Sequence, residues 1–239
     1  MIITRSRPDG VPSVVGFAGV LGIAAVVLTG VTIRFAWQNR PTPIDVWWHD
    51  LMASHRNGVA DAVAPFLNTF GGTLWMTLVT AAIVAVLLVA REWQQAITIG
   101  FTVALASGLC TVLKIVIARP RPLDGVVDVG LDSFPSGHTT TAAALTFAIA
   151  LAFPQIWTWA LAGVWVASMA LSRTYLLVHW SSDVLAAAIL GASVALLVAA
   201  ILTAVFQDRS QSRDSLKKPS LVDPSFLGNE RASTETLSL

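Results

Sequence analysis

Residues 184–206 read VLAAAILGASVALLVAAILTAVF, twenty-three positions without a charge. A bilayer's hydrocarbon core is about 30 Å thick, and a helix rising 1.5 Å per residue crosses it in about 20 apolar residues. This stretch predicts a membrane-crossing helix. Five more segments resemble it. They are Val14 to Phe35, Gly72 to Ala90, Ile97 to Ala118, Thr139 to Phe153 and Trp157 to Val178. The fourth is short and is expected to sit among its neighbours. The fold class expected is therefore an all-α integral membrane protein with six transmembrane helices.

Composition agrees. The 239 residues are 55% hydrophobic and 12% charged, half the share of charge typical of soluble domains. This excludes a disordered chain, a fibrous repeat and a soluble Rossmann or barrel enzyme. A net charge of +1 offers no basic field for nucleic acid. The single cysteine, Cys110, excludes a disulfide framework and reads as a small buried hydrophobe.

The first segment is too long for a signal-peptide core and ends without a small-residue cleavage site, so it reads as an uncleaved anchor. A connector, Trp37 to Gly71, follows it. Thr42 can cap a helix there, with Pro43 at its first position and Asp45 in its first turn. Ile44, Trp47, Trp48, Leu51 and Met52 recur at helical spacing, which predicts a short helix lying on the membrane surface. Asn57-Gly58 ends it, and Val59, Val63, Phe66 and Phe70 predict a second interfacial stretch. Residues 1–206 thus form one membrane domain. Residues 207–239, polar and without apolar period, are expected to be a disordered cytoplasmic tail.

With the N-terminus inside, eight Lys and Arg fall on the inner side and seven on the outer. Lys114, Arg121 and Arg173 among the seven have a separate explanation below. Setting them aside leaves eight against four, which puts both termini in the cytoplasm. Trp37, Trp47, Trp48 and Trp180 would then mark the outer interface and Trp93 the inner one.

Charged groups beside membrane segments are costly, so each is a functional candidate. Topology alone gathers them at one face: Lys114 and Arg121 at the outer end of segment three, His138 at the start of segment four, Arg173 near the end of segment five, His179 and Asp183 where segment six begins. Three cations around one space call for an anion, and a phosphomonoester carries roughly −1.5 to −2 charge. Arginine supplies a fork of paired donors and lysine a point charge. Ser136 and Gly137 precede segment four, where unpaired helix N–H groups favour anions; Gly137 admits close approach, and Ser136 adds a hydroxyl. His179 and Asp183 lie four apart, on one face if helical, so the carboxylate can fix the imidazole tautomer. The residues alone leave open which histidine attacks.

The strings Lys114-(six residues)-Arg121-Pro122, Pro135-Ser136-Gly137-His138 and Ser172-Arg173-(five residues)-His179-(three residues)-Asp183 resemble the three signature motifs of the type 2 phosphatidic acid phosphatase superfamily. That superfamily includes membrane lipid phosphatases, bacterial acid phosphatases and vanadium haloperoxidases. All eleven motif positions match in order. The motifs cover Lys114 to Asp183, and the helix layout extends the resemblance over about residues 13–206. The resemblance implies His179 as nucleophile, oriented by Asp183. It implies His138 as general acid and then base, and Lys114, Arg121, Ser136, Gly137 and Arg173 as phosphate ligands. A phosphohistidine intermediate and a bell-shaped pH profile follow.

No metal or cofactor is implied, because the three cations make a divalent ion a poor competitor. The expected partners are the bilayer and a lipid phosphate or diphosphate of the undecaprenyl diphosphate, phosphatidate or phosphatidylglycerophosphate type, a polyprenyl diphosphate leading. The site would face outward from a cell membrane crossed several times. Transfer of the phosphoryl group to a hydroxyl acceptor fits the same motifs. A non-catalytic lipid binder is disfavoured by the presence of both histidines and the aspartate, and a haloperoxidase by the six spans. Arg119 matches no motif position and reads as an interfacial anchor. His49, His55 and Arg56 in the connector, and Asp124, Asp128 and Asp132 in the outer loop, read as solvated.

Overall fold

The computed structural model describes residues 11–217, and among these the chain is helical, with no β-strand. Helix α1 (Val11–Val31) continues into a π-helical turn at Thr32–Ala36. Two short helices follow, α2 (Pro43–Ser54) and α3 (Gly58–Phe70). Then come α4 (Thr73–Val89), α5 (Trp93–Ile117), α6 (Gly137–Ala152), α7 (Ile156–Tyr175) and α8 (Ser181–Lys217). Each of the six apolar segments is a helix, with ends close to those expected. α8 runs on past Phe206 into the polar region as far as Lys217. The rest of the expected tail, and Arg5 and Arg7, lie outside the described residues.

Fewer helices than six are long and apolar enough to cross a membrane alone. Ser13–Ala36, Trp93–Ile117 and Ser181–Asp208 are, and α3 with α4, bent by 59°, qualify as one broken span. α6 has 16 residues, about 24 Å of helix, and opens on His138 and three threonines. α7 ends on the polar run Ser172-Arg173-Thr174. The polar ends that shorten these helices are the ones that carry the motifs.

The connector forms the helix expected of it, α2, and the second stretch is helical as well, α3. In α2 the Thr42 hydroxyl accepts from the Asp45 N–H while the Asp45 carboxylate accepts from the Thr42 N–H, a reciprocal cap with Pro43 at the first position. Asn57 caps α3 by accepting from the Ala60 N–H. Val59, Val63, Phe66 and Phe70 are exposed along α3, the apolar face the spacing called for.

The core lies between α5, α6 and α8. Ile99, Ala106, Ala144, Ala148, Leu190 and Val194 are fully buried there, together with Phe134. Cys110 is buried and free, as expected. α6 contributes mostly alanine to this core, and small side chains let helix backbones approach closely. Gly191 of α8 marks a close approach to α6: a Cβ there would press against the Thr140 carbonyl oxygen and lie 2.7 Å from the Ala143 Cβ and the Ala144 nitrogen. Large apolar residues such as Phe17, Leu28, Leu74, Val89, Ile115 and Val164 face outward. Exposure on this scale suits lipid rather than water.

α5 to α8 alternate in direction, so the C-terminal ends of α5 and α7 and the N-terminal ends of α6 and α8 lie at one end of the bundle. α3 packs against α7 at this end, through the Ser172 hydroxyl donating to the Ala64 carbonyl at 3.0 Å.

Candidate active site

At that end lies a cleft of about 200 Å³. Lys114, Arg121, Gly137, His138, Arg173 and His179 line it, with Gly71, Thr73 and Thr141. Side chains from four helix ends thus meet in one space, as the motif spacing requires. Two expected site residues stand back from it. Asp183 is fully buried behind His179, and Ser136 is fully buried, its hydroxyl accepting from Thr139 at 3.3 Å. Ser136 does not cap α6 with its side chain.

Arg121 lies in the extended segment after α5, which ends at Ala118 in the left-handed region (φ 49°). Its Nε donates to the Gly130 carbonyl, and its Nη1 donates to the Val178 carbonyl at 2.6 Å and to His179 Nε2 at 2.8 Å. A guanidinium can only donate. His179 Nε2 is therefore the unprotonated nitrogen, and the ring proton sits on Nδ1. Nδ1 faces Asp183 Oδ2 at 3.5 Å and has no closer partner. His179 lies between α7 and α8. Burial, followed by the charges of Arg121, Arg173, Lys114 and His138, holds its imidazole neutral well below the usual histidine range. Burial also lowers the pKa of the Arg121 guanidinium, against the opposing pull of Asp183 and Asp132.

The other cations are anchored by neutral oxygens. Lys114 Nζ donates to the Asp132 carbonyl at 2.8 Å. Arg173 donates through Nη1 to the Asn68 side-chain oxygen. The Asn68 backbone carbonyl accepts from His138 Nε2 at 3.1 Å, so His138 carries a proton on Nε2. Asn68, near the end of α3, thus touches two motif side chains at once. Its partners are 70 and 105 residues away, and no local pattern announces it.

Arg119 corrects the sequence reading. Expected as an interfacial anchor, it is fully buried. Its Nη1 donates to Asp183 Oδ1 at 2.7 Å and to the Ser182 hydroxyl at 2.8 Å, and its Nη2 donates to Asp45 Oδ2 at 2.8 Å. Burying a charge is costly unless it is paired, and two carboxylates pair this one. Asp45 does more than cap α2: its carboxylate also accepts from the Ser181 and Ser182 hydroxyls and the Ser182 N–H. His49 lies outside the cleft, 3.0 Å from Asp124, with its ring tilted against that of Trp180. Arg56 pairs with Asp61 at 2.5 Å. Neither residue is simply solvated.

Residues 95–207 match the family model described as PAP2 superfamily. The chain is 36% identical over 146 residues to the decaprenylphosphoryl-5-phosphoribose phosphatase of Mycobacterium tuberculosis, a match covering 57% of this chain and 77% of that one. It is 30% identical over 176 residues to the lipid A 1-phosphatase of Rhizobium etli, covering 62% and 74%. In fold it is similar to the PAP2-type phosphatidylglycerolphosphate phosphatase of Bacillus subtilis, with a TM-score of 0.65 at 22% identity over 80% of this chain and 97% of that one. Three ordered motifs converging on one cleft, in a helical membrane scaffold with these relatives, place the chain in the PAP2 superfamily.

Proposed function

We propose that this protein is an integral-membrane lipid phosphatase that works through a phosphohistidine on His179. The observation that carries the reading is the cleft itself: the lone pair of His179 Nε2 lies against Arg121 in a space also lined by Lys114, Arg173 and His138. A phosphoryl group held there meets donors for its oxygens and a neutral nitrogen as nucleophile.

In the proposed reaction the substrate phosphate draws the Arg121 fork onto its own oxygens and uncovers Nε2. Nε2 attacks phosphorus, the bond to the leaving oxygen breaks, and His138 gives that oxygen its proton. Charge builds on the imidazole, and Asp183 stabilises the proton held at Nδ1. His138, now neutral, takes a proton from water as the water oxygen attacks phosphorus. The P–N bond breaks, phosphate leaves, and both histidines return to their starting states. Burial first, and the charges of Arg173, Arg121 and Lys114 after it, hold the free His138 imidazole below the usual histidine range. The negative phosphate offsets these cations and raises it toward the charged form that the acid step needs. Gly137 at the start of α6 brings the helix N-terminus to the phosphoryl oxygens, while Ser136, whose N–H donates to the Asp183 carbonyl at 3.2 Å, stands behind it.

In this reading all six long helices cross the bilayer, residues 1–206 form the phosphatase domain and residues 207–239 a polar tail. Both termini face the cytoplasm, and the cleft opens at the outer interface, where lipid tails can stay in the bilayer. The substrate is a lipid with a terminal phosphate or diphosphate, a polyprenyl carrier first among them. The relative named for a decaprenylphosphoryl substrate supports that order. The test is phosphate release by detergent-purified protein across a panel of polyprenyl diphosphate, phosphatidate and phosphatidylglycerophosphate, with His179→Ala as control. Release by the wild type and none by the variant is expected. No release from any lipid contradicts the proposal.

A further inference from the structure

The buried Asp45–Arg119–Asp183 chain links the surface helix α2 to the carboxylate behind His179, and it is costly enough to ask why it is there. All three side chains are fully shielded from solvent. Asp45 accepts from six donors: the Thr42 N–H and hydroxyl, Arg119, the Ser181 hydroxyl, and the Ser182 N–H and hydroxyl. Burial pushes its carboxyl up, but the Ser182 N–H, Arg119 and the Thr42 N–H outweigh this and hold it at about 2. Asp45 is thus a fixed anion that holds one arm of Arg119, leaving the other arm for Asp183 Oδ1. With Oδ1 taken, Oδ2 is the oxygen that faces His179 Nδ1. The Trp180 N–H, at 2.9 Å from the same Oδ2, does not fix the rotation of the carboxylate alone.

We infer that Arg119 and Asp45 are positioning residues for catalysis, setting the rotation and charge of Asp183 and through it the tautomer of His179. The inference rests on the phosphatase reading above for its kinetic arm only. The Arg119 guanidinium is faced by Asp45 from α2, by Asp183 and Ser182 from α8, and by the Trp180 ring. The groups facing His179 are Arg121, Arg173, Lys114, His138 and Asp183.

The test compares full-length wild type, Asp45→Asn and Arg119→Lys in detergent, each checked for a folded, monodisperse species. One readout is the pH profile of phosphate release from the lipid that the wild type hydrolyses. The other is the ¹⁵N spectrum of histidine-labelled protein, with the His179 signal assigned by His179→Ala. Arg119→Lys keeps the charge but cannot hold two carboxylates in a fork. Its kcat should fall by about tenfold to a hundredfold, the range seen when an outer partner of an oriented histidine is lost. KM should stay within about twofold, and with inorganic phosphate bound, which draws Arg121 off Nε2, the Nδ1–H tautomer should become mixed. Asp45→Asn leaves the Arg119 charge directed wholly at Asp183. It should move the acid limb of kcat/KM to lower pH.

Folded variants with wild-type kcat, acid limb and tautomer would overturn the inference, as would loss of the fold in both variants, which would make the chain a scaffold element only. A wild type that releases no phosphate defeats the phosphatase reading instead, and the ¹⁵N tautomer still decides this one.

Discussion

Arg121 Nη1 donates to His179 Nε2 across 2.8 Å, so a group proposed to bind phosphate covers the atom proposed to attack it. The two roles fit together when the substrate anion, a stronger acceptor than an imidazole, takes the fork away. Arg121 is held for this by the Gly130 and Val178 carbonyls.

Replacing that fork by a point charge removes at least one of these anchors. Arg121→Lys should lower kcat/KM by on the order of 10²-fold, as expected when a reacting group is misplaced by about 1 Å. Steady-state kinetics in mixed micelles measure it, and a variant within twofold of wild type would show that the fork is not needed.

Asp183→Asn tests the tautomer. The amide can present N–H where the carboxylate presents Oδ2, and His179 would then favour a proton on Nε2. A loss of kcat on the order of 10⁴-fold is expected, as for other histidines deprived of an orienting carboxylate. The 3.5 Å gap from Nδ1 to Oδ2 should close in the reacting complex.

The sequence carried much of this. Apolar runs placed the six helices, and all their ends but one to within a few residues, because runs of this length admit few other structures; α8 continues eleven residues past its expected end at Phe206. The motif residues at four helix ends were legible because alternating helices must bring those ends together. Arg119 was not. It lies two residues from Arg121, and both precede a proline, so nothing local separates a buried ion pair from a cleft ligand. The difference is made by Asp45, 74 residues away. Asp45 itself was legible as a cap, but its hold on Ser181 and Ser182 depends on how α2 docks. Asn68 had no signal at all, since half of its contact is a backbone carbonyl. Helix length was the other shortfall, because the polar turns that build the cleft also shorten the apolar part of α6 and α7.

The pH dependence has a definite sign. His179 is held neutral by burial first and by the surrounding cations second, and its neutral form is the proposed nucleophile. Activity in kcat/KM should therefore persist below pH 6.5, the ordinary histidine value, and fall only through the lowered pKa. Stability follows the same direction. Below 6.5 the unfolded chain takes up a proton that folded His179 refuses, so acid favours unfolding. Asp45, at about 2 against 3.8, contributes stability that is whole above 3.8 and lost as pH falls towards 2. The thermal midpoint in detergent, followed by tryptophan fluorescence, should drop steadily from pH 7 to pH 4. A flat profile from pH 7 to pH 4 would contradict the burial of His179, and the Asp45 contribution shows only in a further drop below pH 4.

The close approach of α6 and α8 gives a packing test far from the chemistry. At Gly191 a Cβ would stand 2.7 Å from the Ala143 Cβ and the Ala144 nitrogen, closer than such atoms normally come. Gly191→Val should cost about 1–3 kcal/mol by overpacking and lower the thermal midpoint. An unchanged midpoint would mean that the two helices lie further apart.

The most direct measurement is the trapping of the covalent intermediate. Purified protein is mixed with a lipid substrate labelled in its terminal phosphate, quenched in alkali within the first turnover, digested and read by mass spectrometry. The account predicts an acid-labile, alkali-stable phosphoryl group on the peptide that carries His179, absent from His179→Ala. Turnover that proceeds with no phosphoryl group on His179, or with one on His138, would contradict it.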